Sequence, residues 1–309
     1  MKTVVRVGVP LPGMKHWLHA FRLRTLPLAV SSILVGSALA SFHGAFHWPV
    51  LAFALLTAVL LQILSNLAND LGDHQHGTDN VERIGPQRAV QSGAIAPDIM
   101  KRGMLVCGSL AFLSGCALIT VALGFTWGAL IFLLLGLLAI GAAVKYTFGK
   151  DPYGYAGYGD VSVFLFFGIV GVCGTFCLHT RVFFPAVLLP AVAFGLLSTG
   201  VLNVNNMRDI ANDAASGKRT LVVRMGGANA RVYHTLLVLG GIAGLVGFAV
   251  FTRDRSTLLP LLAAPVFLWH LRQVWTNTEP RLLDPQLKVL ALGTFLTALL
   301  FAAGLIFAA

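Results

Sequence analysis

Pro49 to Asp79 reads PVLAFALLTAVLLQILSNLANDLGDHQHGTD. Its first part, residues 49–68, is an apolar run of the length a helix needs to cross a ~30 Å hydrocarbon core. Its second part turns abruptly polar. If the helix continues through that part, Asn66, Asp70 and Asp73 fall on one face at i,i+4 and i,i+3 spacing. A membrane-crossing helix that ends in stacked carboxylates decides the fold class and says where chemistry belongs.

Working outward, the same apolar length recurs. Including 49–68, nine runs are long enough to span: 26–44, 49–68, 104–124, 127–147, 161–179, 183–204, 232–251, 257–275 and 288–308. Only 11% of the 309 residues are charged and 57% are hydrophobic. A soluble domain carries about 25% charge, so that class is excluded, and disorder with it. The expected fold is an all-α integral membrane protein, one domain over 1–309, bundled from nine transmembrane helices. Ala38-Leu39-Ala40 resembles a signal cleavage site, yet the basic lead is long and eight spans follow, so the first span is read as retained. Residues 14–22 are expected to lie as a short helix in the interface. Cys107, Cys116, Cys173 and Cys177 all sit in apolar runs, which suits small buried hydrophobes and implies no disulfide framework.

The formal net charge of +10 admits a nucleic-acid partner until the charges are placed. With the N-terminus and even-numbered links on one side, that side holds 19 Lys and Arg, and the other holds only Arg181, Arg253 and Arg255. Such an asymmetry marks the basic side as cytoplasmic, with the C-terminus opposite and no role for nucleic acid. The long links 69–103, 145–160 and 205–231 lie on that basic side. A cavity opening to the cytoplasmic side is expected there.

The sixth span ends like the second. Asn205, Asp209 and Asp213 repeat at four-residue spacing, and Asn205 lies 139 residues after Asn66, which opens the set Asn66, Asp70 and Asp73. Motifs at 66–79 and 205–220 imply a pseudo-repeat of about four helices with acidic faces turned toward each other. Stacked carboxylates repel, and burial raises the cost. Mg²⁺ relieves both, because it takes one or two carboxylates plus substrate phosphate oxygens. Arg88, Lys101 and Arg102 follow the first cluster, Lys218 and Arg219 the second, and Arg22 and Arg24 enter the first span, so cations for a diphosphate are at hand. The link 145–160 carries Tyr146, Tyr153, Tyr155 and Tyr158, four of the five tyrosines, in one Gly-rich loop with Lys150. Aromatic faces there suit a cation. Asp160 suits an N-cap of the fifth span or a contact to an acceptor.

Four ordered stretches, NLANDLGDHQHGTD, RIGPQRAVQSGAI, YTFGKDPYGYAGYGDVSVFLFFG and NVNNMRDIANDAASGKRTLVVRMG, together resemble the UbiA-type intramembrane prenyltransferases. They are most similar to the branch acting on 1,4-dihydroxy-2-naphthoate in menaquinone biosynthesis. The resemblance runs from about Arg22 through Gly226. It implies transfer of a polyprenyl group from polyprenyl diphosphate to 1,4-dihydroxy-2-naphthoate, with loss of CO₂ and diphosphate, in a bacterial inner membrane. It also implies Mg²⁺ held by Asp70, Asp73, Asp79, Asp209 and Asp213 with Asn66 and Asn205, and Tyr146 among the catalytic groups. Substrate contacts are expected from Asn66, Asn69, Arg88, Lys101, Lys150, Tyr153, Tyr155, Asp160, Asn205, Arg208, Lys218, Arg22 and Arg24. The superfamily spacing would place the last acid of the first motif at Gly77; here the next acid is Asp79. Other acceptors of the superfamily, 4-hydroxybenzoate and homogentisate, stand as alternatives. A cation-coupled secondary transporter is the alternative from another class; against it, the acids sit at helix ends and not near the midplane.

Overall fold

The computed structural model describes residues 12–80 and 82–308. Lys2 and Arg6, counted above in the charge asymmetry, lie outside the described residues. Among these the chain is helical without strands. A short helix α1 (Met14–Phe21) leads into α2 (Leu26–Phe42), α3 (Trp48–Gln75), α4 (Pro97–Leu123) and α5 (Trp127–Lys145). Then come α6 (Gly159–Thr180), α7 (Pro185–Arg208), a short α8 (Ile210–Ala215), α9 (Leu221–Thr252), α10 (Arg255–Thr276) and α11 (Pro280–Ala308). Nine helical stretches among the described residues, Met14–Phe42 (α1 with α2), α3 through α7 and α9 through α11, are long and apolar enough to cross a membrane.

Local chemistry sets the helix ends. Pro49 and Pro97 occupy first-turn positions, where a missing N–H costs nothing. Thr126 and Thr220 cap α5 and α9 by accepting the backbone N–H groups of Ala129 and Val223, both at 3.2 Å. The expectation that α3 continues past its apolar run holds: it reaches Gln75 and carries the whole first acidic face. The second motif departs from the expected single helix. α7 stops at Arg208, Asp209 leaves helical geometry at φ −98° and ψ 10°, and α8 resumes. The four-residue bonding nonetheless survives the break, since Asp209 N–H donates to Asn205 O at 3.2 Å and Asp213 N–H to Asp209 O at 2.8 Å. Asp160 does not cap α6; Tyr158 is the cap residue and Asp160 lies in the first turn.

Around the bundle, α2 packs between α3, α6 and α11, while α7 packs against α6, α9 and α11. Leu39, Phe176, Phe194, Phe248 and Phe301 fill the seam between them. A second seam, built from Leu64, Leu71, Ile95 and Met100, joins α3 to α4. Close approach depends on small residues, as in lipid, where burial of apolar surface between helices gives little drive. A Cβ on Gly168 of α6 would lie 2.6 Å from the Ala191 carbonyl and 2.8 Å from Gly195 Cα of α7. The helix α5 packs chiefly on α3 and α4 and buries no residue. One of its faces lines a cavity and the other points outward. The four cysteines are free, two buried and two partly so.

Candidate active site

The cavity, of about 560 Å³, is lined by α2, α3, α4, α5, α6 and α7 with a contribution from the start of α11. Its walls toward mid-bundle are apolar, formed by residues such as Ile33, Leu118, Phe132 and Leu178. Its other end is charged. There Arg22, Arg24, Asn66, Asn69, Asp73, Arg83, Arg88, Tyr146, Tyr153, Asn205 and Lys218 face the space.

Both acidic motifs meet at this end. Lys218 Nζ lies 3.9 Å from Asp73 Oδ1 and 3.6 Å from Asp213 Oδ1, so one ammonium joins the two clusters. Asp73 and Asp213 are 1% and 2% exposed. Arg88 sits against Asp73 Oδ2 at 2.5 Å and Asp79 Oδ1 at 3.2 Å, and Arg83 reaches the same Asp79 oxygen at 3.2 Å. Burial, opposed by Arg88 and reinforced by Asp73, pushes Asp79 up to about 6. Burial likewise pushes Asp213 up to about 6, although Lys218 pulls it down. Arg88 moves upward despite its burial, held protonated by Asp73, Asp79 and Asp70. The two motifs also touch directly, because Asn212 Nδ2 donates to the Thr78 carbonyl at 2.8 Å.

The tyrosine-rich link is seated on the first motif. A Cβ at Gly72 would run into the Thr147 backbone, and this explains the glycine inside NDLGD. The seating brings Tyr155 hydroxyl to donate to Asp73 Oδ1 at 2.7 Å and places its ring 5.3 Å from Lys218 Nζ. Burial and the neighbouring Asp73 hold that phenol protonated, above its ordinary range. Tyr153 lines the cavity and donates to the Ala142 carbonyl at 3.0 Å.

Not every expected residue arrives at the cavity. Lys101 is exposed and pairs with Asp98 on the flank of α4 at 3.2 Å. Lys150 is exposed, with its carbonyl accepting from Lys145. Neither lines the cavity, because each lies beyond the helix face or loop edge that turns inward. Asp79, Asp160, Asp209 and Asp213 are buried outside the cavity lining, and of these Asp79 and Asp213 reach it through Arg88 and Lys218. Arg208, 1% exposed, is spent on its own chain: Nε and Nη2 on Asp209, Nη2 on Asn205 at 3.0 Å, and Nη1 on Asp284 at 2.5 Å. Asp70 gives both oxygens to backbone N–H groups and faces away from the space. Asn66 lines the cavity, but its Nδ2 holds the Phe21 carbonyl and Thr25 hydroxyl at 2.9 Å each. Missed from sequence were Arg83, Gln62, Asp284 and Lys288. Asp284 and Lys288 stand four apart at the start of α11, but no motif links them to the others.

A model of the UbiA prenyltransferase family matches residues 29–287. The chain belongs to that family. A UbiA-family relative from Escherichia coli K12, 1,4-dihydroxy-2-naphthoate octaprenyltransferase, is 47% identical over 290 residues, covering 94% of each chain. Among solved structures, the apo UbiA homolog of Aeropyrum pernix K1 superposes with TM-score 0.70 at 16% identity, over 93% of this chain and 98% of that one. The UbiA homolog of Archaeoglobus fulgidus, bound to DMAPP and Mg²⁺, gives TM-score 0.61 at 14% identity over 93% and 99%. The last two establish the UbiA fold for a chain that spans its relatives nearly end to end.

Proposed function

We propose that this protein transfers a polyprenyl group from polyprenyl diphosphate to 1,4-dihydroxy-2-naphthoate, releasing diphosphate and CO₂. One observation carries the reading: Asp73 and Asp213, from motifs 139 residues apart, converge on Lys218 at the charged head of an apolar cavity. The identity of the Escherichia coli relative supports the choice of acceptor.

The residues present suit Mg²⁺. Asp213 Oδ2 and Asp79 Oδ2 are buried with no hydrogen-bond donor, and hard carboxylate oxygens are what this ion takes. Among the described residues no three acidic, His or Cys side chains form a ready metal site. That fits an ion held by one or two carboxylates and completed by substrate phosphate. Asp73 and Asp213 would hold it, with Asp79 and amide oxygens of the two motifs nearby. Mg²⁺ bound there would offset the charge that gathers on the diphosphate.

The chain's own groups then have plain tasks. Arg22, Arg83, Arg88 and Lys218 draw the diphosphate to the charged end, while the apolar wall takes the first isoprene units. The allylic C–O bond breaks and its electron pair leaves with diphosphate, which the cations stabilise. The Tyr146 and Tyr153 rings face the allylic carbon and keep water from it. The naphthoate carbon bearing the carboxylate bonds to that carbon; the carboxylate departs as CO₂ and returns its pair to the ring. The product is the demethylmenaquinone skeleton in its quinol form.

We place the protein in a bacterial cytoplasmic membrane with the charged end cytoplasmic, as the distribution of Lys and Arg supports. The reading of one domain over 1–309 with a pseudo-repeat is supported by the motifs' matched positions at the ends of α3 and α7. The deciding assay offers dihydroxynaphthoate, 4-hydroxybenzoate and homogentisate with one prenyl diphosphate and Mg²⁺. Preferred prenylation of dihydroxynaphthoate is expected; preference for another acceptor overturns the assignment.

A further inference from the structure

We infer that Asp70, spaced as though it belonged to the metal face, is a positioning residue that seats Arg88; this rests on the transfer reaction proposed above. Asp70 is 1% exposed and absent from the cavity lining, whereas Asn66, Asn69 and Asp73 of the same helix all line it. Its Oδ2 accepts the N–H of Ala89 and its Oδ1 that of Val90, both at 3.0 Å. Two successive backbone donors thus cradle one carboxylate, a geometry that suits a fixed anion. Each oxygen carries one of these bonds, and neither lines the cavity.

What the cradle holds is the residue before it. Arg88 is the cation shared by Asp73, Asp79 and the Asn69 carbonyl. Among its described residues 82–96, the link has no helix or strand of its own. Gln91 adds a brace by accepting Arg88 N–H at 3.2 Å and donating to the Asn80 carbonyl at 2.9 Å. That brace lies within the link and cannot fix it to α3. Asp70 can, from one turn before Asp73. The first motif therefore divides its acids: Asp73 faces the reaction space, and Asp70 holds the arginine that faces it too.

The test uses the full chain in detergent or nanodiscs, comparing Asp70→Asn, Asp70→Glu, Asp73→Asn and Arg88→Gln. Asn at 70 keeps one acceptor and sets an NH₂ against a backbone donor. For Asp70→Asn, KM for the prenyl diphosphate is expected to rise roughly tenfold, the scale of one misplaced charge-assisted contact. Half-saturating Mg²⁺ and KM for dihydroxynaphthoate should stay within about twofold. Adding Arg88→Gln should cost little more, because both changes remove one contact. Asp70→Glu, with two acceptors, should recover part of the loss. A rise in half-saturating Mg²⁺ matching that of Asp73→Asn, or additive losses in the double variant, would overturn the assignment. Should the Asp70 variants fail to insert, hydrogen exchange on the metal-free wild type decides: slow exchange at Ala89 and Val90 supports the cradle, and loop-like exchange sinks it. A wild type unable to prenylate any naphthoate would remove the reaction but leave the exchange result standing.

Discussion

Asp73 and Asp213 share an ammonium, and both are almost wholly buried. Their burial marks the site as one that gains from a cation, and the same burial makes it sensitive to acid. Replacing Asp73 or Asp213 by Asn is expected to lower kcat/KM by about a hundredfold or more, the scale seen when a charge-stabilising group is removed. The protein should still insert, as membrane fractionation would check. The pH dependence carries two opposite signs. Asp79 and Asp213 titrate near about 6 in the fold, above the ordinary carboxylate value. As pH falls through 6 they take up protons, and turnover should fall with them because the cation loses its partners. In the metal-free fold these two carboxyls should instead contribute stability over the same fall, since each binds more protons folded than unfolded between the two values. Asn at 213 cannot titrate, so in EDTA the Tm advantage of wild type over Asp213→Asn should be larger at pH 5 than at pH 7.5. Added Mg²⁺ should raise the Tm at pH 7.5.

At the scale of elements, two contacts decide where the motifs end up. Gly72 lets the Thr147 backbone lie on α3, which carries the tyrosine link onto Asp73. Gly72→Ala should cost about 1–3 kcal/mol through overpacking and lower activity more than stability, a split visible by pairing thermal melts with turnover. Arg208 ties the end of α7 to the start of α11 through Asp209 and Asp284. Because Arg208 and Asp209 are both buried, Arg208→Ala leaves an uncompensated carboxylate and should destabilise by about 3 kcal/mol. Arg208→Lys keeps the charge without the fork and should recover little. The break at Asp209 is legible only in three dimensions. In the sequence, Asn205, Asp209 and Asp213 read as one regular face.

At the scale of the whole molecule, the bundle provides a charged head over an apolar space, and its wall on α5 is made small by Gly136, Ala139 and Ala143. Ala139→Phe should depress turnover of long prenyl diphosphates while sparing short ones, measured as the ratio of kcat/KM across a length series. Equal loss at every length would place the tail elsewhere. This arrangement also explains why α5 buries nothing: one face lines the cavity and the other points out of the bundle.

The sequence alone determined the class of the molecule, since 57% hydrophobic residues in nine long runs admit only a membrane bundle. It also pointed to the ends of α3 and α7 for the proposed chemistry, because acids are too costly near lipid to be there without purpose. Spacing along a helix fixes which residues share a face. It does not fix what stands opposite that face. Lys218 between two acids, Arg83 at the cavity and Tyr155 on Asp73 all come from segments brought together by packing. For the same reason Asp70 and Asp73 look alike in the sequence and differ in the fold. A carboxylate acts through whatever lies within hydrogen-bonding reach, and only the tertiary structure put a backbone cradle beside one and a cavity beside the other.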